Sequence, residues 1–452
     1  MIELIINDRR ADLPVDFRMP WETFNPIFDF GTITGTKGWR FSLPHTREND
    51  RIFRFAHLLD SVGVPDRYRI ELIVDGTLVD EGWGFLERAD YSGYELSFGS
   101  EFGSFLGDLT DQPLNRLSLE IIAPGANKFA FDANLLKWCR PEIVNPSFAP
   151  DEMVMNEFNA GAYTGTNLVI MPGLLWVVKS ILNQAGYSVS GDVFQDPAFQ
   201  RLHFLSLYDA LPETTFEIAK TLPEMTVREL IQQLSMPPFG WALFINTVQK
   251  KVVIEKRGKF FSNLNSEDFS KNINPRFSAG RPNSRRLELS LEVDSSDGAL
   301  KNLPPELADY RSPGLGQTFQ LKGKFGSTKL EGIDQPGNTI NARSNRFAPR
   351  LMFWVGGAEP VSARAYGEYS LTLSGTNNLV ETSWAEFEKF KLEAVPGDIK
   401  IKLPGHRLAR LNFHQNPEGP KSFYAFGHYF IIESIRATYP LKELVEMKVW
   451  MV

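Results

Sequence analysis

The chain has 452 residues, 42% of them apolar and 23% charged, a formal net charge of −7 and one cysteine, Cys139. Such a length gives about three domains, each able to bury a core. The mild acidity argues against a dedicated nucleic-acid binder, and the lone cysteine excludes an intramolecular disulfide or a thiolate zinc cluster and suits folding in a reducing cytoplasm.

Residues 1–130 predict a β-rich first domain, a small antiparallel barrel or sandwich crossed by one helix. The opening MIELIINDRR offers a strand beginning at Leu4, Ile5 and Ile6, and no signal peptide. Trp39, Phe41 and Leu43 share one face of a further strand. Asp75-Gly76 tolerates left-handed backbone and predicts a hairpin between residues 69–74 and 77–82. Another hairpin turns at Ser92-Gly93, joining 84–89 to 94–98. A helix over 49–59 should face Ile52, Phe53, Ala56 and Leu59 inward.

Residues 131–258 read as an α/β domain. A helix over 172–185 has Pro172 in its first turn, Gly186 just past its end, and a stripe of Leu175, Val178, Ile181 and Leu182. Pro172 and Gly173 break the apolar run 168–178, which is far short of a membrane span. Short strands follow at 187–189 and 201–207. Val227, Leu230, Ile231 and Leu234 then fall on one stripe of a helix, with Thr226 and Glu229 placed for a capping box and Pro237-Pro238 as its stop. A hairpin of 239–246 and 251–257 completes the unit. Trp241, Leu243 and Ile245 alternate with Ala242, Phe244 and Asn246 as on a half-buried strand, and Lys250, Lys251, Glu255, Lys256 and Arg257 mark a solvated or partner-facing side.

From 259 to 350 the composition shifts to Asn, Ser, Gly and Pro, so long loops are expected around GRPNS, SPGLGQ and QPGNT, either a contact surface or disordered until a partner arrives. One strand interrupts them at 285–293, with Leu287, Leu289, Leu291 and Val293 on one face. Residues 351–452 return to β-structure at 351–356, 369–373, 426–438 and 442–452, the last docked in a sheet. Ser383 and Glu386 offer a second capping box, for a helix carrying Trp384, Phe387 and Phe390.

No pattern marks a catalytic, cofactor-binding or metal-binding residue. The histidines, His45, His57, His203, His406, His414 and His428, are scattered without zincin spacing, and there is no nucleophile elbow, P-loop or dinucleotide fingerprint. Carboxylate pairs such as Asp75/Asp80 and Glu71/Glu81 could serve a glycosidase, and Trp21, Trp39, Trp83 and Trp176 could stack on sugars, but spacing alone carries no information and such tryptophans are usually core. Arg281, Arg285 and Arg286 form a small basic cluster that fits a solvated face or an acidic patch better than DNA.

Three segments resemble tail proteins. Leu43-Pro44-x-Thr46-x-x-Asn49-x-x-Ile52-Phe53, preceded by FDFGTITGTKGWRFS, resembles the opening of tail proteins from phages and prophages of Bacteroidetes-type bacteria, as does LLWVVKSILNQAGYSVSGDVFQDPAFQRLHFLSL. The capped helix with its hairpin, 226–257, is similar to a segment of baseplate hubs and tail-associated proteins, including hubs of contractile injection systems. The resemblance implies a symmetric trimer with two tube-like β-barrel domains per subunit, contacting tube, distal-tail, tape-measure and spike or fibre proteins. The resulting expectation is a predominantly antiparallel α+β chain with short packed helices, divided at 1–130, 131–258, 259–350 and 351–452. Its expected role is a tail-tip structural protein of the virion, without enzymatic activity, sequence-specific nucleic-acid binding or membrane insertion. A glycan-binding or glycan-cleaving tail protein is the alternative.

Overall fold

The computed structural model describes residues 2–34, 37–38, 40–99, 105–122, 128–144, 154–159, 162–163, 168–206, 208, 215–264, 267–280, 284–292, 305–313, 316–326, 349–356, 361–441 and 444–452. Strands from both ends of the chain join in one large, mostly antiparallel sheet. The first group comprises Ile2–Ile6, Met19–Phe24, Phe41–Leu43, Tyr68–Val74, Thr77–Asp90 and Gly93–Gly99; the second comprises Ile273–Ala279, Val395–Ile401, Ser422–Ala425, His428–Tyr439 and Val445–Met451. They meet edge to edge where Met19–Phe24 runs antiparallel to His428–Tyr439, with Met19 opposite Tyr439 and Phe24 opposite Ser434.

Period-two burial explains this sheet. Tyr68, Ile70, Leu72 and Val74 are buried while the residues between them are half-buried, and Val445, Met447 and Val449 repeat the pattern on the last strand. These faces close on a single core that also takes Leu4, Ile6, Phe430, Ile432 and Ile435. Asp75 and Gly76 both have positive φ, 51° and 77°, which suits the twist of the hairpin they join. The strand Thr77–Asp90 is long enough to serve both expected hairpins. The final strand pairs on both sides, with Val395–Ile401 and His428–Tyr439, and so docks in the sheet as expected.

A second core surrounds the helices Leu174–Gln184 and Val227–Gln233. The capping box at Thr226 is present in both directions: the Glu229 N–H donates to the Thr226 hydroxyl at 3.2 Å, and the Thr226 N–H donates to the Glu229 carboxylate at 2.8 Å. Trp241–Asn246 and Lys251–Lys256 form the hairpin, and Ser188–Ser190 adds a parallel third strand.

Several expectations are corrected. The 241–246 strand is buried on both faces rather than half-buried. Trp241, Leu243 and Ile245 enter the core of the two helices, while Ala242 and Phe244 enter a third core with Trp384, Phe387 and Phe390. Arg257, expected at a solvated side, is 1% exposed, with its guanidinium packed on the Phe30 ring and bonded to the carbonyls of Asp29, Ser235 and Trp241. The first helix is only Arg47–Ile52; Arg54 and Phe55 adopt left-handed φ, 51° and 55°, and Leu59 is exposed rather than inward. Pro172 belongs to a short strand, so its helix starts at Leu174. No box forms at Ser383, because a π-helical turn, Val380–Trp384, already precedes Ala385–Glu393. Asn378 supplies the cap instead, accepting from the N–H groups of Val380 and Glu381 at 2.9 and 3.1 Å. Within 259–350 the expected strand is present as Ser284–Leu291, but Ile273–Ala279 and Gln317–Gly323 are strands too. Trp39, Val293, Arg281 and the QPGNT loop lie outside the described residues.

Candidate functional site

The polar groups of the sheet concentrate where its two groups of strands meet. Asp80 is 2% exposed and accepts from Trp21 Nε1 at 2.5 Å, Asn412 Nδ2 at 2.8 Å, Gln415 Nε2 at 2.7 Å and the Glu81 N–H at 2.9 Å. Burial pushes its carboxyl up to about 6, against the opposing pull of these donors. Glu22, nearly buried, pairs with Arg436 at 3.1 Å across the same junction. Trp21 and Asp80, considered above for sugar stacking and acid catalysis, are thus spent on one another. Glu71 and Glu81 are direct cross-strand partners, and Arg69 pairs with both. Trp83 lies under the Arg67 guanidinium, 4.5 Å from its ring centroid, and Trp176 is buried. Of the basic cluster, Arg286 Nε donates to the Ser312 carbonyl at 3.3 Å.

Buried ionic groups also tie the middle of the chain to its ends. Arg257 Nη2 donates to the carbonyls of Asp29, Ser235 and Trp241 at 2.7, 3.2 and 2.9 Å, and its guanidinium lies 4.0 Å from the centroid of Phe30. Lys421 is buried over Phe244 and Phe413, and desolvation pulls it down to about 7. It borders a cleft of about 450 Å³ whose other charged walls are Glu255, Lys259, Glu267, Arg410 and Glu418. His414, fully buried, accepts the Ile245 N–H on Nδ1 at 3.2 Å, which leaves Nε2–H to donate to the Thr34 carbonyl at 3.1 Å; burial holds it down to about 3. His203, equally buried, faces the Ser362 hydroxyl at 2.9 Å and is held at about 4.

The remaining histidines divide. His406 and His428 are exposed. His45 and His57 come together with Asp50 and Tyr94, a grouping that the sequence reading missed. His45 Nδ1 stands 2.8 Å from Asp50 Oδ1 and its Nε2 2.5 Å from the Asp90 carbonyl; the Tyr94 hydroxyl donates to the same Asp50 oxygen at 2.8 Å and lies 2.9 Å from His57 Nδ1. Among the described residues, His45, Asp50 and His57 are the group whose nitrogen and oxygen atoms lie close enough to share a metal ion. The only sequence signal was a pair of histidines flanking a short capped helix with Asp50 in its last turn, which becomes informative once the helix is known to stop at Ile52.

Apolar surface is concentrated beside this cluster. Phe55, Leu58, Leu59 and Val62 are 45%, 49%, 106% and 85% exposed on the segment that follows the helix. Among the described residues no helix is long and apolar enough to cross a membrane.

No family model and no curated protein matches the chain. Among solved structures, it aligns with the 43 kDa tail protein of prophage MuSo2 from Shewanella oneidensis at 9% identity, covering 100% of this chain and 98% of that one with a TM-score of 0.38. It aligns with prophage tail protein gp18 from Listeria monocytogenes EGD-e at 10% identity, 99% and 94% coverage and a TM-score of 0.40. A tail protein from Neisseria meningitidis MC58 aligns at 10% identity, 100% and 95% coverage and a TM-score of 0.37. At these scores and identities the likeness carries no argument about function.

Proposed function

We propose that the chain is a structural component of a phage tail or tail-like particle, of the baseplate-hub or tail-tip type, closing the tail tube and joining it to a spike or fibre. The observation that carries this reading is the way the resembling segments pack. Segments 172–207 and 226–257 are separate in sequence, yet Ser188–Ser190 pairs with Lys251–Lys256, and the helices Leu174–Gln184 and Val227–Gln233 share one core. They therefore form one unit, as a common hub-like module would.

Three features support the rest of the proposal. The large sheet consists of two antiparallel groups joined edge to edge, which suits two tube-like elements per subunit. Its described outer strands, Arg9–Arg10 and Ile273–Ala279, leave edges that a symmetric trimer would pair or cover. The exposed apolar segment at 55–62 offers a contact face for a neighbour such as a tube, distal-tail, tape-measure or spike protein. In this reading the chain works by shape and contact, without a chemical step of its own.

Tail-like particles from lysed source cells, labelled with gold-conjugated antibody to this chain and viewed by electron microscopy, test the proposal. Label at one end of each particle is expected. Label along the whole tube would remove the hub assignment, and particles free of label would remove the tail assignment as well.

A further inference from the structure

We propose that His45, Asp50 and His57 form a binding site for a borderline divalent metal ion of the Zn²⁺ type. The ligands would be one ring nitrogen of each histidine and one carboxylate oxygen of Asp50, all within 4.8 Å of one another; His45 Nδ1 and Asp50 Oδ1 already face each other at 2.8 Å. Two imidazoles and one carboxylate make a donor set that favours Zn²⁺, Co²⁺ or Ni²⁺ over Mg²⁺ or Ca²⁺, which prefer oxygen alone.

Three observations converge on this site. The first is the support behind each ligand. His45 Nε2 stands 2.5 Å from the Asp90 carbonyl, so an Nε2–H donated there fixes the ring with Nδ1 towards the site, where loss of the Nδ1 proton would present a lone pair to the ion. The Tyr94 hydroxyl, donating to Asp50 at 2.8 Å, fixes the carboxylate in the same way.

The second is position. The Thr46 hydroxyl caps Arg47–Ile52, Asp50 projects from the last turn of that helix, and the chain then reverses so that His57 returns over it. The imidazole centroids of His45 and His57 end 4.2 Å apart. The third is that the reversal is made by Arg54 and Phe55, consecutive non-glycine residues with φ of 51° and 55°. Left-handed backbone is disfavoured for both, and it brings His57 to Asp50.

The present 2.8 Å between His45 Nδ1 and Asp50 Oδ1 is a hydrogen-bond length. Metal bonds of about 2.0 Å in tetrahedral geometry need ligand atoms about 3.3 Å apart, a small opening between partly exposed side chains. The ion would displace the proton now shared by that pair, releasing it to solvent, and open positions would be completed by water.

Titration of the full chain with Co²⁺, followed by its visible d–d absorption and by displacement with Zn²⁺, tests the site. One equivalent of Co²⁺ with tetrahedral-type absorption is expected. His57→Gln should weaken binding at least tenfold while retaining the far-UV circular dichroism of the wild type, and Asp50→Asn should do the same. His406→Gln, at an exposed histidine, should leave the titration unchanged. No stoichiometric uptake by the wild type, or equal uptake by folded His57→Gln, would overturn the proposal.

Discussion

The helix and hairpin at 226–257 and the long sheet are both well packed, but they draw on different distances along the chain. In the first, Thr226 caps its own helix three residues away and Trp241 pairs with Lys256 across a short turn. In the second, Met19 lies opposite Tyr439, and Asp80 is held by Asn412 and Gln415. The first unit takes its cap and its turn from neighbours and is filled mostly with apolar side chains, although its hairpin also buries Arg257 beneath Phe30 and packs one face on Trp384 and Phe387. The second brings together residues more than 300 positions apart and buries charge where they meet, so its junction depends on satisfied hydrogen bonds as well as on area. Local structure and long-range closure are therefore stabilised by different interactions, and substitutions can separate them.

The largest effect is expected at the junction. Trp21→Ala removes a fully buried ring and also the indole donor of Asp80, and should cost at least about 3–5 kcal/mol in urea denaturation. Leu230→Ala, a purely apolar loss in the other core, should cost about 2–5 kcal/mol. A near-neutral Trp21→Ala would mean that the two groups of strands do not depend on this contact.

Acid should act through buried histidines. His203 and His414 titrate at about 4 and 3 when folded, below their ordinary 6.5. The unfolded chain then binds more protons over this window, so their contribution to stability is lost as pH falls from 6.5 through the folded values. Asp80 has the opposite sign: its folded value of about 6 exceeds 3.8, so its contribution is present at low pH and lost as pH rises from 3.8 to 6. Chemical denaturation at pH 6.5 and 4.5 should show a net loss on acidification, on the order of 1–3 kcal/mol. Asp80→Asn should steepen that loss, and an unchanged slope would contradict the assignment.

The smallest effects are expected at the helix caps. Thr226→Ala and Asn378→Ala should each cost about 1 kcal/mol as helix caps, whereas Ser383→Ala should stay within about 0.5 kcal/mol. Thermal melts of the three variants would reveal whether Ser383 has any capping role.

These cases also mark how far the sequence could be read. The Thr226 box, the stripe at 227–234 and the Asp75-Gly76 turn were legible because each depends on residues within a few positions. The Ser383 box has the same spelling but is pre-empted by a turn that Asn378 begins five residues earlier, so spacing alone misplaced it. The full burial of Trp241–Asn246 could not be seen, since its second face is covered by Trp384 and Phe387 from far along the chain. Arg257 looked solvated for the same reason. The His45, Asp50 and His57 grouping was hidden by the helix over 49–59, which a continuous stripe implied and the left-handed pair at Arg54 and Phe55 ends. Proximity created by a reversal of this kind has no periodic signature.

The measurement that bears most directly on the proposed role is the mass of the purified full chain by light scattering behind a sizing column, over a range of concentrations. A stable species near three times 51.2 kDa is expected, the trimer that would close a tail tube. A single species at 51.2 kDa throughout that range would contradict it.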